Sequence, residues 1–269
     1  LKLEKGEGIY LFDSDGNRYL DMFSGIAVNG LGLNQEELKE KIKEQLDKYI
    51  HLSNYFSSEA VVELAKLLVK NTFASKVFFA NSGTEANEAA LKLARKYGRE
   101  FAEDKVELLA ASNSFHGRTT GSLALTGRQN CKESFAPLLP EVNHFQFNNP
   151  ADLENKVSSK TCAVFLEIIQ GSGGIHQVDT QFMNKLVSLK RKYNFLIIVD
   201  EIQTGMGRTG DFFACEKYDF EPDLVTMAKS LGGGFPLGAL LVSKELENVF
   251  EPGDHGSTFG GNPVACAAG

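Results

Sequence analysis

The chain has 269 residues, 42% of them hydrophobic and 23% charged, with a formal net charge of −7. At this length a protein buries roughly three quarters of its unfolded surface, enough for one large core or two smaller ones. The acidic balance argues against nucleic acid as a partner, and no apolar run approaches the roughly 18 residues a membrane span needs. Cys131, Cys162, Cys215 and Cys266 stand singly, which disfavours both a metal site and a disulfide framework and fits a reduced, cytoplasmic setting.

In chain order, "IYLFDSDGNRYLDMFSG" gives two short alternating runs around residues 13–17, a hairpin signal. "EELKEKIKEQLDKYI" and "SEAVVELAKLLVK" carry apolar residues at three- and four-residue spacing and read as amphipathic helices. From there short apolar runs at 77–80, 107–112, 163–169, 195–200 and 223–228 are separated by helical stretches, notably 85–102 and 180–193. Runs apolar on both faces that alternate with helices predict an α/β fold, a mostly parallel sheet covered by helices on both faces. The division expected is an N-terminal segment over 1–45, part of a small domain, and a large domain over 46–269. The opening without Met and the small residues after Asn262-Pro263, which read as the first turn of a helix, lead to the expectation of a fragment truncated at its C-terminal end.

Ligands of open α/β sheets sit outside the carboxyl ends of the strands. After "VFFA" comes Asn81-Ser82-Gly83-Thr84-Glu85, leading into a helix: a phosphate cradle in outline, or equally a helix cap. The Gly205-x-Gly207-x-x-Gly210 of "IVDEIQTGMGRTG" resembles a dinucleotide turn. It lies too far after the strand, however, and no acidic residue stands near position 230 where the ribose would need one. What remains is Asp200 at a strand end and, 29 positions later, Lys229 at the end of the next run, before Gly232-Gly233-Gly234. A lysine beside glycines can form a Schiff base with an aldehyde cofactor. An aspartate can keep a pyridinium nitrogen protonated, which makes pyridoxal 5'-phosphate an electron sink. Singly, Asp200 could be a cap and Lys229 a solvated loop residue; their order after successive strands is harder to obtain by chance.

"FFANSGTEANEAALKLARKYG", "SFHGRTTGSLALTGR", "IIVDEIQTGMGRTG", "DLVTMAKSLGGGFPLGA" and "GSTFGGNPVACA" resemble, in order and spacing, the class III (fold type I) aminotransferases. "LDMFSGIAVNGLG" and "HLSNYF" resemble the acetylornithine branch of that family. The resemblance implies that Lys229 holds the cofactor and shuttles protons, that Asp200 pairs with the pyridinium and that Gln203 lies near the phenolic oxygen. It implies phosphate binding by Gly83 and Thr84, completed by Thr258 across a homodimer interface, and stacking by Phe115. Ser82, His116, Glu167, Glu201 and Ile202 join the cofactor-binding set on the same ground. Arg118 would bind the substrate carboxylate, with Ser257 against the substrate. Without the family, Phe115 reads as a core residue, His116 as a polar loop residue and Arg118 as half of a surface ion pair. The implied reaction moves the terminal amino group of an amino donor such as N-acetylornithine to a 2-oxo acid, 2-oxoglutarate foremost, in arginine biosynthesis. Ornithine, 4-aminobutyrate or other ω-amino-acid aminotransferases, an aminomutase and an inactive cofactor-binding module stand as alternatives.

Three departures matter. Ser172 in Gln170-Gly171-Ser172-Gly173-Gly174 replaces the family's glutamate, which is said to pair with an arginine and gate the two substrates. Leu33-Asn34-Gln35 replaces Gly-His-x-His-Pro, and Ile168 follows Glu167 where proline is usual. The arginine for the oxo acid belongs to the family's C-terminal domain, beyond Gly269.

Overall fold

The computed structural model describes residues 1–269. The N-terminal strands β1 (Leu3–Glu7), β2 (Tyr10–Asp13) and β3 (Arg18–Leu20) form an antiparallel sheet. The expected turn joins β2 to β3: Asp13 Oδ1 accepts from the Asp15 and Asn17 amides at 3.0 and 2.8 Å, and Gly16 has φ +82°. A short turn, α1 (Ser24–Ala27), is left-handed at all four residues and closes with the Val28 amide on the Ser24 carbonyl at 2.8 Å. Then come α2 (Glu36–Lys48) and α3 (Glu59–Asn71). A chain division after residue 45 falls inside α2.

The main sheet is built from β4 (Lys76–Ala80), β5 (Glu107–Ala111), β6 (Val142–Phe145) and β7 (Thr161–Leu166), then, after the small hairpin β8 (Ile169–Gln170) and β9 (His176–Gln177), from β10 (Leu196–Asp200), β11 (Leu224–Met227) and β12 (Gly238–Val242). Its order is β4-β12-β11-β10-β7-β5-β6. Only β12 runs antiparallel to its neighbours. The helices are α4 (Gly83–Arg99), α5 (Thr120–Leu125), α6 (Pro150–Lys156), α7 (Thr180–Tyr193) and α8 (Pro263–Ala268).

Every residue of β7 and β10 is buried. Because strand side chains alternate between faces, Ile197 and Val199 join α3 and α7 residues in one core, while Leu196 and Ile198 join α4 residues in the other. The sheet is therefore covered on both faces, as the unbroken apolar runs require. On α4 the buried stripe is rich in alanine, and Gly98 lets the helix approach: a Cβ there would stand 2.1 Å from the Lys105 carbonyl oxygen. Strands β6 and β12 lie outside the runs expected from sequence, for reasons of length and direction taken up below.

Candidate active site

The parallel strands β4, β5, β7, β10 and β11 all end at one edge of the sheet, and β12 starts there. The loops at that edge enclose a cavity of about 880 Å³. Its lining includes Ser82, Gly83, Thr84, Phe115, His116, Arg118, Glu167, Asp200, Ile202, Gln203 and Lys229, so residues spread over 148 positions of chain converge on one space.

One wall is the start of α4. Ser82 caps the helix, accepting from the Glu85 amide at 3.3 Å and donating to Glu85 Oε2 at 2.9 Å. The amides of Gly83 and Thr84 have no acceptor within the protein. Cap and free helix-end amides thus coexist, since capping uses only one of the free N–H groups of the first turn. The glycines here are sterically required: a Cβ on Gly83 would lie 2.5 Å from Ile202 Cδ1, and one on Gly238 2.3 Å from the Ser82 carbonyl oxygen.

The floor is a buried polar cluster around Asp200. Its Oδ2 accepts from His116 Nδ1 at 2.8 Å and from Asn87 Nδ2 at 2.9 Å, and its Oδ1 accepts from the Ile202 amide at 3.1 Å. Burial opposes a charge on His116, but the hydrogen bond and charge of Asp200, with Glu167 behind them, outweigh it and raise its pKa. The ring is no loop residue in solvent; it is buried edge-on against Phe165, with Nε2 unpartnered. Glu167 Oε2 accepts from the Phe115 amide at 3.1 Å, and burial pushes its carboxyl up to about 7.

Lys229 enters from the end of β11 with φ +49°, a left-handed conformation uncommon outside glycine. Its Nζ donates to Gln203 Oε1. Burial lowers its pKa while Asp200 and Glu167 act in the opposite sense. At the mouth, Arg118 is exposed, forms no ion pair and lies 5.6 Å from the Phe115 ring centre. The ion-pair reading of Arg118 is therefore not met, and half-buried Phe115 faces the cavity instead of the core.

Three expected residues stand elsewhere. Glu201 follows the strand alternation away from Asp200, and its carboxylate is consumed by the Cys215 amide at 2.8 Å and by Thr204 Oγ1. Ser257 receives Asn81 Nδ2 at 3.1 Å, and together with exposed Thr258 it lines a separate surface depression beyond Asn81. Residues 205–210 form turns followed only by a four-residue 3-10 turn, Ala214–Lys217, and no crossover α-helix, so the glycine pattern is no dinucleotide site. Ile26 and Val28, carried by the left-handed turn, Arg208 and Ser172 also line the cavity. Asn87 had a signal that sequence reading passed over, an amide in the middle of α4's buried alanine stripe.

The donor set fits a phosphorylated pyridine aldehyde: a partly desolvated amine, a carboxylate with capacity left on one oxygen, and free helix-end amides where a Cβ has no room. A lysine-centred site of this kind, on a seven-stranded sheet with one reversed strand, defines a fold type I pyridoxal-phosphate enzyme. The chain belongs to the class III aminotransferases, whose family model matches residues 1–269, and its cofactor is pyridoxal phosphate. It is 48% identical to acetylornithine aminotransferase of Caldanaerobacter subterraneus over all of this chain and 68% of that protein. It is 47% identical to succinylornithine transaminase of Photorhabdus laumondii over 98% of this chain and 66% of that protein. Ornithine aminotransferase from Toxoplasma gondii superposes with a TM-score of 0.95 at 30% identity, over the whole chain and 65% of that structure. The chain thus spans about two thirds of the length of these relatives.

Proposed function

We propose that this chain carries the catalytic centre of an aminotransferase that moves the terminal amino group of an N-acylated ornithine, N-acetylornithine foremost, to 2-oxoglutarate. The setting would be arginine biosynthesis in the cytoplasm, and the working unit a homodimer. The observation that carries the reading is the meeting of Lys229, Asp200 and the open start of α4 in one cavity whose mouth holds an arginine without an acidic partner. The names of the relatives, acetylornithine and succinylornithine enzymes, support an acyl-bearing donor.

When bound, pyridoxal phosphate supplies an electron sink for the carbon that carries the amine. The protein's part is positional and protic. Lys229 Nζ, whose burial favours the free base, would hold the cofactor and serve as the base that takes and returns the substrate's proton. Asp200, whose Oδ1 has capacity beyond the Ile202 amide, would pair with the ring nitrogen, and Gln203, hydrogen-bonded to Lys229, would serve the phenolic oxygen. The Gly83 and Thr84 amides would hold the phosphate, and Phe115 would pack against the ring. Arg118 holds the substrate carboxylate through a two-pronged pair. Thr258 and Ser257 belong to this scheme through a second copy: their exposed loop lies outside their own cavity, which supports Thr258 reaching the phosphate of a neighbour.

The test is a donor panel with 2-oxoglutarate as acceptor, comparing kcat/KM for N-acetylornithine, ornithine and 4-aminobutyrate. N-acetylornithine should lead. A higher value for either of the others would replace the substrate assignment while leaving the reaction class intact.

A further inference from the structure

Asn87, the fifth residue of α4, stands fully buried on the helix's inner face near Ala86, Ala90 and Leu91. Its amide nitrogen spends both hydrogens on the site, one on the His116 carbonyl at 2.7 Å and one on Asp200 Oδ2 at 2.9 Å. Its own oxygen has no partner. The orientation of the amide follows from its neighbours: exchanging oxygen and nitrogen would set an acceptor against two acceptors. A buried polar atom without a partner is costly, and an apolar residue would fill this stripe without that cost. The amide is therefore retained for the two bonds it makes.

Those bonds close a triangle. His116 reaches Asp200 through its ring, Asn87 reaches the same carboxylate oxygen, and Asn87 also grips the His116 backbone, the link that carries Phe115. Oδ2 is saturated, and Oδ1 keeps capacity beyond its one bond to the Ile202 amide. We infer that Asn87 is a positioning residue that locks Asp200 and the Phe115–His116 backbone into one unit, so that Oδ1 is presented to the cofactor ring at a fixed distance from the ring of Phe115. This rests on the proposed pairing of Asp200 with the ring nitrogen. The other titratable groups around the unit are Glu167 and Lys229 on the cavity side and His144 behind His116.

The test uses Asn87→Ala and Asn87→Asp in the cofactor-loaded and cofactor-free protein. Misplacing a reacting partner by a fraction of an ångström up to 1 Å costs up to about 100-fold. Asn87→Ala should accordingly lower kcat by about 10- to 100-fold while KM for the donor changes by less than about 3-fold, and it should shift the pH titration of the visible band of the bound cofactor. Asn87→Asp sets a second carboxyl against Asp200, which must hold a proton to donate, so its kcat should acquire a limb that falls as pH rises. In the cofactor-free protein the His116 ring proton resonance should move in both variants. If Asn87→Ala does not fold, the near-isosteric Asn87→Asp carries the test. Variants with lowered melting temperature but unchanged kcat, cofactor band, pH profile and His116 resonance would overturn the inference. Asp200→Ala run in parallel separates the two readings: inactive Asp200→Ala beside wild-type-like Asn87 variants sinks this inference alone, whereas active Asp200→Ala sinks the parent assignment.

Discussion

The floor and the mouth of the cavity are built by opposite rules. At the floor Asp200 is 4% exposed, receives three hydrogen bonds from three separate segments and sits under residues that have almost no freedom. At the mouth Arg118 and Ser172 are exposed, and neither has an ion-pair or hydrogen-bond partner among protein side chains. Charge on the floor is placed in advance, where reorganisation would otherwise add to the barrier. Charge at the mouth is left for a ligand to satisfy. With the proposed roles, the difference would divide the chemistry, held by fixed groups, from the choice of donor, which needs surfaces that few internal contacts constrain.

The comparison breaks most visibly at the floor. With the proposed roles, Lys229→Ala should lose about 10²- to 10⁴-fold in kcat, the scale of a lost acid–base group, along with the yellow colour of the lysine-bound cofactor. Asp200→Ala should keep cofactor but lose most turnover. Undiminished transamination in Lys229→Ala would remove the lysine from the mechanism.

Next in size is the pH dependence of stability in the cofactor-free protein. Glu167 is raised by burial from 4.5 to about 7, so the fold binds its proton more tightly than the unfolded chain does. That contribution is fully present below pH 4.5 and is lost as pH rises through about 7, with a ceiling of about 3 kcal/mol. Glu167→Gln should therefore show a smaller drop in melting temperature between pH 5 and 8 than the parent. Parallel curves would mean that Glu167 is not neutral in the fold.

At the mouth the effects should be smaller and should fall on substrate choice. Arg118→Lys keeps the charge but loses the planar fork, so KM for amino acids should rise by about 10-fold while donors lacking a carboxylate change little. Equal losses for both donor types would assign Arg118 a structural role. Ser172→Glu sharpens the contrast: if an arginine faces this position, a carboxylate here should raise discrimination between N-acetylornithine and glutamate, as a ratio of kcat/KM, by up to about 10-fold. With no arginine opposite, both donors should suffer alike. An unchanged ratio at full activity would put position 172 outside the substrate's reach.

Which parts were legible from sequence follows from the same physics. Helix α7 and strand β10 came out where periodicity put them, because their apolar patterns are unbroken and their ends are marked. Asp200, Lys229 and the 82–84 turn were legible because strand ends of a parallel sheet are few and all face one edge. Strand β12 was not, since it returns directly from the glycine turn without the helix that announces a parallel strand, and β6 is four residues long with an exposed asparagine in its middle. Glu201 was read into the site by adjacency to Asp200, but neighbouring residues at a strand end point to opposite sides. The bonds of Asn87 span 29 and 113 positions, and no local pattern encodes them. The left-handed run at 24–27 holds three non-glycine residues, Ser24, Ile26 and Ala27, in a conformation that local sequence preference disfavours.

The reversed strand β12 has a consequence for how the molecule is made. It joins β4 at one sheet edge through pairs such as Gly238 with Ala80 and Val242 with Lys76, contacts that span more than 150 positions. Loop closure of that length comes late and slowly in a folding reaction. The start of α4, proposed above to hold the phosphate, belongs to the first third of this chain, and Lys229 belongs to the last. During synthesis the first emerges from the ribosome long before the second exists, so the early half-site can have neither its amine nor its closing wall. With the roles proposed above, capture of the cofactor would be coupled to completion of the sheet, and the colour of the loaded protein would record that the longest-range strand pairing of its topology has formed.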